Sequence, residues 1–471
     1  MGSPVSRPAR AGLPLLLALA LALPAAVLAS APAALAAPPA PTFERPTAEA
    51  TFGLEVVYRQ TFDSPVALAR VEILLEYPAS LGPFVVEVAG ATPPGRREVV
   101  HRHVLATDGH LVPNTPITAR WRLVPADRNQ PPVLGPPTTV VYRDTRFAWR
   151  TLAGDLVRLH WYDGPDSFGR RALAIGEAAV REATAFLGVT ETEPIDFFVY
   201  ADQGALYDAL GPATREHVGG QAHSDIRTMF ALIGPGEVAD PWVSIVIPHE
   251  LAHLVFDTAA RNPYNFPPRW LNEGVAVYLS EGFTARDRAS VEAAAGAGRL
   301  MPLRALGGQF PTTEDRFRLA YSQGVSAVDF LVREHGERAL VGLIRSYAGG
   351  VTDDEAFEAA IGLNLTEFEA AWLDHLGAPA PIAYGPRPAP AGPLPPDWLA
   401  GATPGSVAPD APSPTPTPAP EPLPGGDGAG WPLEEPLTIF LMAAAGAAVG
   451  LLVGGGIALL RRRRSGSAGP S

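Results

Sequence analysis

The sequence predicts an α+β protein. An antiparallel β-sandwich comes first, then a second domain with a small mixed sheet and a mostly helical second half, then an unfolded stalk and one transmembrane helix. Three observations carry this. Short β-branched and aromatic runs, punctuated by Pro, Gly, Asp and Asn, fill residues 41–150. Beyond residue 240 nearly every segment has helical spacing. Of the 52 prolines, 17 fall within residues 378–430, a density that builds neither helix nor sheet. Strands first and helices after is the order of an α+β fold.

Residues 1–36 hold Arg7 and Arg10, an apolar run from Leu13 to Leu28 broken by Pro14 and Pro24, and the small-residue site Ala34-Leu35-Ala36. This is the pattern of a secretory signal peptide. The β-sandwich is expected over residues 37–150, from the runs Val56–Tyr58, Val71–Tyr77, Phe84–Val88, Val99–Val100, Ile117–Leu123 and Thr138–Tyr142. His101 and His103 alternate on one of these strands and read as ordinary strand residues.

The second domain is expected over residues 151–377. Leu156–Trp161 and Ile195–Tyr200 read as strands, and Phe168–Leu187 as a helix closed by Gly188. Helices follow over Trp242–Thr258, Trp270–Ser280, Arg286–Ala297, Ser322–His335, Arg338–Tyr347, Asp353–Ile361 and Leu365–Leu376.

The proline-rich stalk of residues 378–430 prefers extended polyproline II, reaching up to roughly 160 Å at about 3.1 Å per residue. Residues 437–460 carry no charge and, at about 1.5 Å per residue, span about 36 Å, enough for the bilayer core. Arg461–Arg464 open the tail of residues 461–471 and hold it in the cytoplasm, which leaves the body outside. Gly446, Gly450 and Gly454 recur every four residues, a spacing that permits close helix packing; no oligomeric state is read from it.

Arginine is the sole cationic side chain besides histidine. There are 36 Arg and no Lys against 49 acids, for a net charge of −13. Arg7, Arg10 and Arg461–Arg464 lie beyond any acid, so the body between them is more acidic still. Such a body has no footprint for phosphate backbones, which excludes a nucleic-acid partner. Cysteine is absent, and with it disulfides, thiolate nucleophiles, Fe–S clusters and Cys-type zinc sites. Any metal must be held by His and carboxylate.

Residues 248–254 read Pro-His-Glu-Leu-Ala-His-Leu. A helix puts His249 and His253, four apart, on one face a turn from each other. Each can then offer a nitrogen to one Zn2+. Glu250 projects beside them, suited to take a proton from a water that the metal activates. Twenty residues beyond His253, Glu273 lies on a second apolar helix, Trp270–Leu279. An ionised carboxylate is costly there unless paired, and ligating a cation removes that cost. Two His, one Glu and an open fourth position make the donor set of a catalytic zinc site. Pro248 leaves the start of the first helix open. Either the helix begins at Asp240-Pro241 and bends at Pro248, or Pro248 itself opens it.

His249-Glu250-x-x-His253 with Glu273 resembles the gluzincin metallopeptidases. Asn272-Glu273 is similar to the arrangement in thermolysin, and Trp-Leu-Asn-Glu-Gly-Val-Ala, residues 270–276, to that in the aminopeptidase N family. Gly219–Ile233 resembles the loop and edge strand preceding the zinc helix in the peptidase-MA-like group. The likeness covers residues 150–376. It implies a gluzincin-like catalytic domain with Zn2+ as cofactor and a peptide or protein as substrate. One departure bears on specificity: the Gly-x-Met-Glu-Asn segment, which anchors a free amine in the aminopeptidase N family, is missing.

Peptide hydrolysis also needs a second donor for the oxyanion. Tyr321, in Ala320-Tyr-Ser-Gln-Gly324 at an expected helix start, resembles the tyrosine that serves the aminopeptidase N family. His223 is the rival, because thermolysin-like enzymes use a histidine; read by itself it is a solvated loop residue. The expected function is a membrane-anchored extracellular zinc metallopeptidase, with Glu250 and Tyr321 catalytic and His249, His253 and Glu273 on the metal. The alternatives are a cell-surface binding or adhesion protein with a structural or degenerate zinc site, and a zinc hydrolase acting on something other than peptides.

Overall fold

A computed structural model describes residues 40–211, 219–262 and 266–381. The expected signal peptide, the transmembrane helix, the tail and all but the start of the stalk lie outside them. Among the described residues no helix is long and apolar enough to cross a membrane.

The N-terminal part is all antiparallel. β1 (Thr42–Phe43) and β2 (Thr47–Thr51) line one side of β3 (Glu55–Ser64) in turn, and β6 (Gly95–Val104) lines its other side. A second sheet runs in the order β5 (Phe84–Ala89), β4 (Leu68–Glu76), β7 (Pro116–Pro125), β8 (Val133–Val141). A single helical turn, α1 (Leu105–Asp108), joins β6 toward β7. Strand periodicity sets which side chains go in. Val56, Tyr58 and Phe62 of β3 meet Val71, Ile73 and Leu75 of β4 and Ile117, Ala119, Trp121 and Leu123 of β7 in one buried core. Strands β1 and β2 add to those read from the sequence.

The second part begins with a five-stranded sheet in the order β12 (Gly220–His223), β13 (Thr228–Leu232), β11 (Ile195–Tyr200), β10 (Val157–Trp161), β9 (Arg150–Ala153). The three central strands are parallel and the two edges antiparallel. The crossover from β10 to β11 is α2 (Asp166–Leu187), ended by Gly188 in the left-handed region at φ 64°. Side-chain alternation divides the sheet. Phe197, Val199, Met229 and Ala231 face the main core with α2 and α4 (Val243–Ala260). Tyr200 and Phe230 face α3 (Gln203–Leu210) together with Phe52 and Val112 of the sandwich.

Polar contacts tie the sandwich to that second face. Asn114, itself at φ 71°, donates through Nδ2 to Asp196 Oδ2 and Thr228 Oγ1, both at 2.9 Å. Arg146 Nη1 reaches Asp208 at 2.9 Å.

The remainder is helical: α5 (Arg269–Ser280), α6 (Ala285–Gly296), α7 (Glu314–His335), α8 (Glu337–Ser346), α9 (Asp353–Ile361) and α10 (Leu365–His375). One expectation is corrected. α7 starts at Glu314 instead of Ser322, because Thr313 takes the cap position and Glu314 and Asp315 favour the positive end of the helix dipole. Tyr321 is therefore well inside α7 and not at its start. The Pro248 question resolves to a continuous helix. α4 runs through Pro248, and the turns leading into it bond back to Asp240, Pro241 and Trp242.

Candidate metal centre and active site

α4 is apolar around most of its circumference because α2, α5 and the β12–β13 hairpin enclose it. His249 and His253 project from it on one side, rings 4.8 Å apart and nearly perpendicular. Glu273 reaches them from the middle of α5. Its approach depends on Gly274 and Gly324, where α5 and α7 cross backbone to backbone: a Cβ on Gly274 would lie 2.6 Å from the carbonyl of Gly324.

The three donor atoms form a nearly regular triangle. His249 Nε2 and His253 Nε2 are 3.2 Å apart, and Glu273 Oε2 is 3.6 Å from the first and 3.4 Å from the second. A tetrahedral zinc with bonds of roughly 2.0–2.1 Å sets its donors about 3.3–3.4 Å apart. His253 Nδ1 bonds to Asn272 Oδ1 at 2.8 Å, which leaves the Nε2 lone pair pointing inward. Glu273 Oε1 accepts from Arg269 Nε at 3.1 Å, whereas Oε2 is buried with no hydrogen-bond partner. An orphaned carboxylate oxygen facing two imidazole nitrogens fits a cation, and among the described residues this is the one such cluster of His, Asp and Glu.

The electrostatics agree. Burial alone would raise the Glu273 carboxyl, but its contacts with His249 and His253 and the Arg269 charge outweigh burial and hold it well below the usual range. Burial lowers His249. Burial opposes the charge on His253 too, yet Glu273 raises it.

Glu250 does not join the triangle. It lies under the edge strand, where the Ala222 N–H faces its carboxylate and a Cβ on Gly220 would come within 2.7 Å of its Cγ. Its Oε2 is buried without a partner, and burial pushes its pKa up to about 8.

The two candidates for the second donor part company. Tyr321 is buried with its ring centroid 6.3 Å from that of His249, packed between Phe310 and Phe317. Its hydroxyl makes no well-formed hydrogen bond. Burial raises its pKa well above 10, and the Glu273 charge adds to this while Arg269 opposes it.

His223 is no solvated loop residue: it ends β12 and is 4% exposed. It pairs across the hairpin with Thr228 and meets Phe230 edge-on at 5.4 Å, on the face turned to α3 and the sandwich. Gly220 and Ala222 of the same strand belong to the opposite side, where Glu250 lies. Burial, with His110 nearby, lowers the His223 pKa to about 4. The period-2 alternation of β12 thus keeps His223 away from the His–Glu triangle.

Three features of the site were not read from the sequence. Arg269 could have been found from its i, i+4 spacing to Glu273. The Gly274–Gly324 crossing was signalled by glycines inside helices, where they cost stability unless packing needs them. The role of Asn272 as partner of His253 was legible only as part of the likeness to thermolysin.

Residues 175–378 match the family described as the Peptidase MA superfamily. No curated protein matches the chain significantly. Similar solved structures include an M1 zinc metallopeptidase from Deinococcus radiodurans, at 14% identity over 73% of this chain and 97% of that one, with a TM-score of 0.37. A mutant of the M1 enzyme from Deinococcus radiodurans, bound to a Tyr-Ser-Ala substrate, matches at 15% identity over 71% of this chain and 94% of that one, TM-score 0.34. An aminopeptidase N family protein from Idiomarina loihiensis matches at 10% identity over 67% and 70%, TM-score 0.33. The identities and TM-scores are low, and the assignment rests on the sequence of residues 175–378.

Proposed function

From a chain whose residues 175–378 belong to the peptidase MA superfamily, a zinc metallopeptidase of the gluzincin group, we propose a peptide-bond hydrolase displayed on the outer side of a membrane. The observation that carries the chemistry is the triangle of His249 Nε2, His253 Nε2 and Glu273 Oε2, with a separate buried carboxylate beside it. These three atoms would hold zinc, which when bound supplies a Lewis acid for the scissile carbonyl and for water.

The rest falls to the chain's own side chains. Glu250, enclosed by β12 and α4, takes the proton from the attacking water and returns it to the leaving amine. A carboxyl whose environment favours the protonated form is a competent base near neutral pH. Tyr321 donates its otherwise unbonded hydroxyl to the developing oxyanion. Asn272 fixes the ring of His253 and, in the neutral imidazole, places its proton on Nδ1 so that the inward nitrogen carries the lone pair.

The location is supported by sequence alone: the basic and apolar N-terminus, the uncharged stretch of residues 437–460 and the four arginines after it. Protease added outside intact cells should then cut within residues 378–430 and release the folded body. Recovery of that body only after lysis would overturn the orientation.

Glu250→Gln tests the chemistry, because it preserves size and all three donors. Zinc should stay stoichiometric while peptide hydrolysis falls by orders of magnitude, and a chelator should lower Tm in wild type and variant alike. Undiminished turnover in this variant would favour a surface binding protein instead.

A further inference from the structure

We propose that Arg269 is a positioning residue for the metal ligand: it holds one oxygen of Glu273 off the metal position, so that the other alone faces the two histidines. This rests on the metallopeptidase reading above. Arg269 opens α5 one helical turn before Glu273 and is 8% exposed. Its Nε donates to Glu273 Oε1 at 3.1 Å, and Glu273 Oε2 is the oxygen that faces both histidines. A carboxylate held in this way presents a single donor atom.

The guanidinium also lies over Phe310, with Cζ 4.6 Å from the ring centroid. Phe310 in turn meets Tyr321 edge-on at 5.3 Å. The cation is therefore boxed between an aromatic face and a ligand carboxylate.

Neutralising a buried Glu273 for the sake of the fold needs only a point charge, which a lysine supplies. Holding one carboxylate oxygen in a fixed direction while lying flat on the Phe310 ring needs the planar guanidinium that arginine has. Nor is the side chain needed to start the helix. The backbone N–H of Arg269 bonds to Gly307 O at 2.8 Å, and that contact survives any substitution except proline.

The test uses the full-length protein as wild type, Arg269→Lys and Arg269→Gln. Two quantities are read: zinc affinity by chelator competition and the visible spectrum of the Co2+-substituted protein. In Arg269→Lys, with Tm near wild type, zinc affinity should fall roughly 10–100-fold, the scale for losing a partner of a ligand. The cobalt band should lose intensity as Glu273 becomes free to offer both oxygens.

A folded Arg269→Lys or Arg269→Gln protein with wild-type zinc affinity and cobalt spectrum would overturn the proposal. So would an Arg269→Lys protein too unstable to fold, since that assigns the guanidinium to the fold. Failure of the underlying reading looks different: wild type itself would bind no zinc.

Discussion

Gly274→Ala puts the helix crossing that presents Glu273 to a direct test. A Cβ at this position would stand 2.6 Å from both the carbonyl carbon and the oxygen of Gly324, and 2.9 Å from Val328 Cγ2. Carbon contacts settle at about 3.5–4.0 Å, so α5 and α7 must part by roughly 1 Å. Two of the three obstructing atoms are backbone and have no rotamer to yield. The displacement passes to Glu273, one residue away, and its 3.4 and 3.6 Å separations from the histidines should grow by a comparable amount. Zinc sites tolerate about 0.2 Å in their bonds.

Overpacking costs about 1–3 kcal/mol, and alanine regains up to about 1 kcal/mol of helix propensity. The expected net loss is about 1–2 kcal/mol, a few degrees of Tm, with the protein still folded. Elemental analysis, thermal melting and peptide turnover on one preparation check this. Zinc content and activity should collapse together while the melt remains cooperative. Gly342→Ala is the control, because α8 leaves open space around that position. It should be neutral or slightly stabilised and keep its zinc. A Gly274→Ala protein with one zinc and full activity would refute the claim that this crossing sets the ligand geometry.

Tyr321→Phe keeps the ring among Phe310 and Phe317 and removes the hydroxyl alone; kcat and kcat/KM should fall together by about 10²–10³, with zinc content unchanged. His223→Ala, on the far face of the sheet, should lower Tm and leave kcat per folded molecule intact, and the opposite pattern would hand the oxyanion role to His223. Asp196 supplies the pH prediction. Burial would raise its carboxyl, but bonds from His160, Arg158 and Asn114 outweigh that and hold it well below the usual range. A depressed folded pKa means stability that is present above the unfolded value of about 3.9 and lost as pH falls through the folded one. The Tm advantage of wild type over Asp196→Asn should therefore be full at pH 5–7 and shrink below about pH 4; an advantage that persists unchanged at pH 2 would contradict it.

By itself the sequence determined whatever depends on local periodicity and short-range chemistry. Alternation placed Ile117 and Trp121 in the sandwich core. Helical spacing ended at Gly188, and there α2 stops in a left-handed cap. The four-residue interval put His249 and His253 on one face of α4 because any helix must. A carboxylate inside an otherwise apolar α5 announced that something had to pair with Glu273.

Only the tertiary structure decided matters that turn on register and on distance between elements. His223 is a candidate oxyanion donor only through the likeness to thermolysin, and by itself reads as a solvated loop residue. Yet one step along β12 reverses the face on which a side chain lies, and the pairing of His223 with Thr228 sends it toward the sandwich. The sequence reading starts this helix at Ser322, whereas α7 begins at Glu314, where Phe317 and Tyr321 pack on Phe310. Which oxygen of Glu273 is free is likewise invisible in one dimension. It depends on Arg269 turning back along α5 and on two glycines letting α5 and α7 touch, and both are contacts whose geometry is set only once the helices are packed.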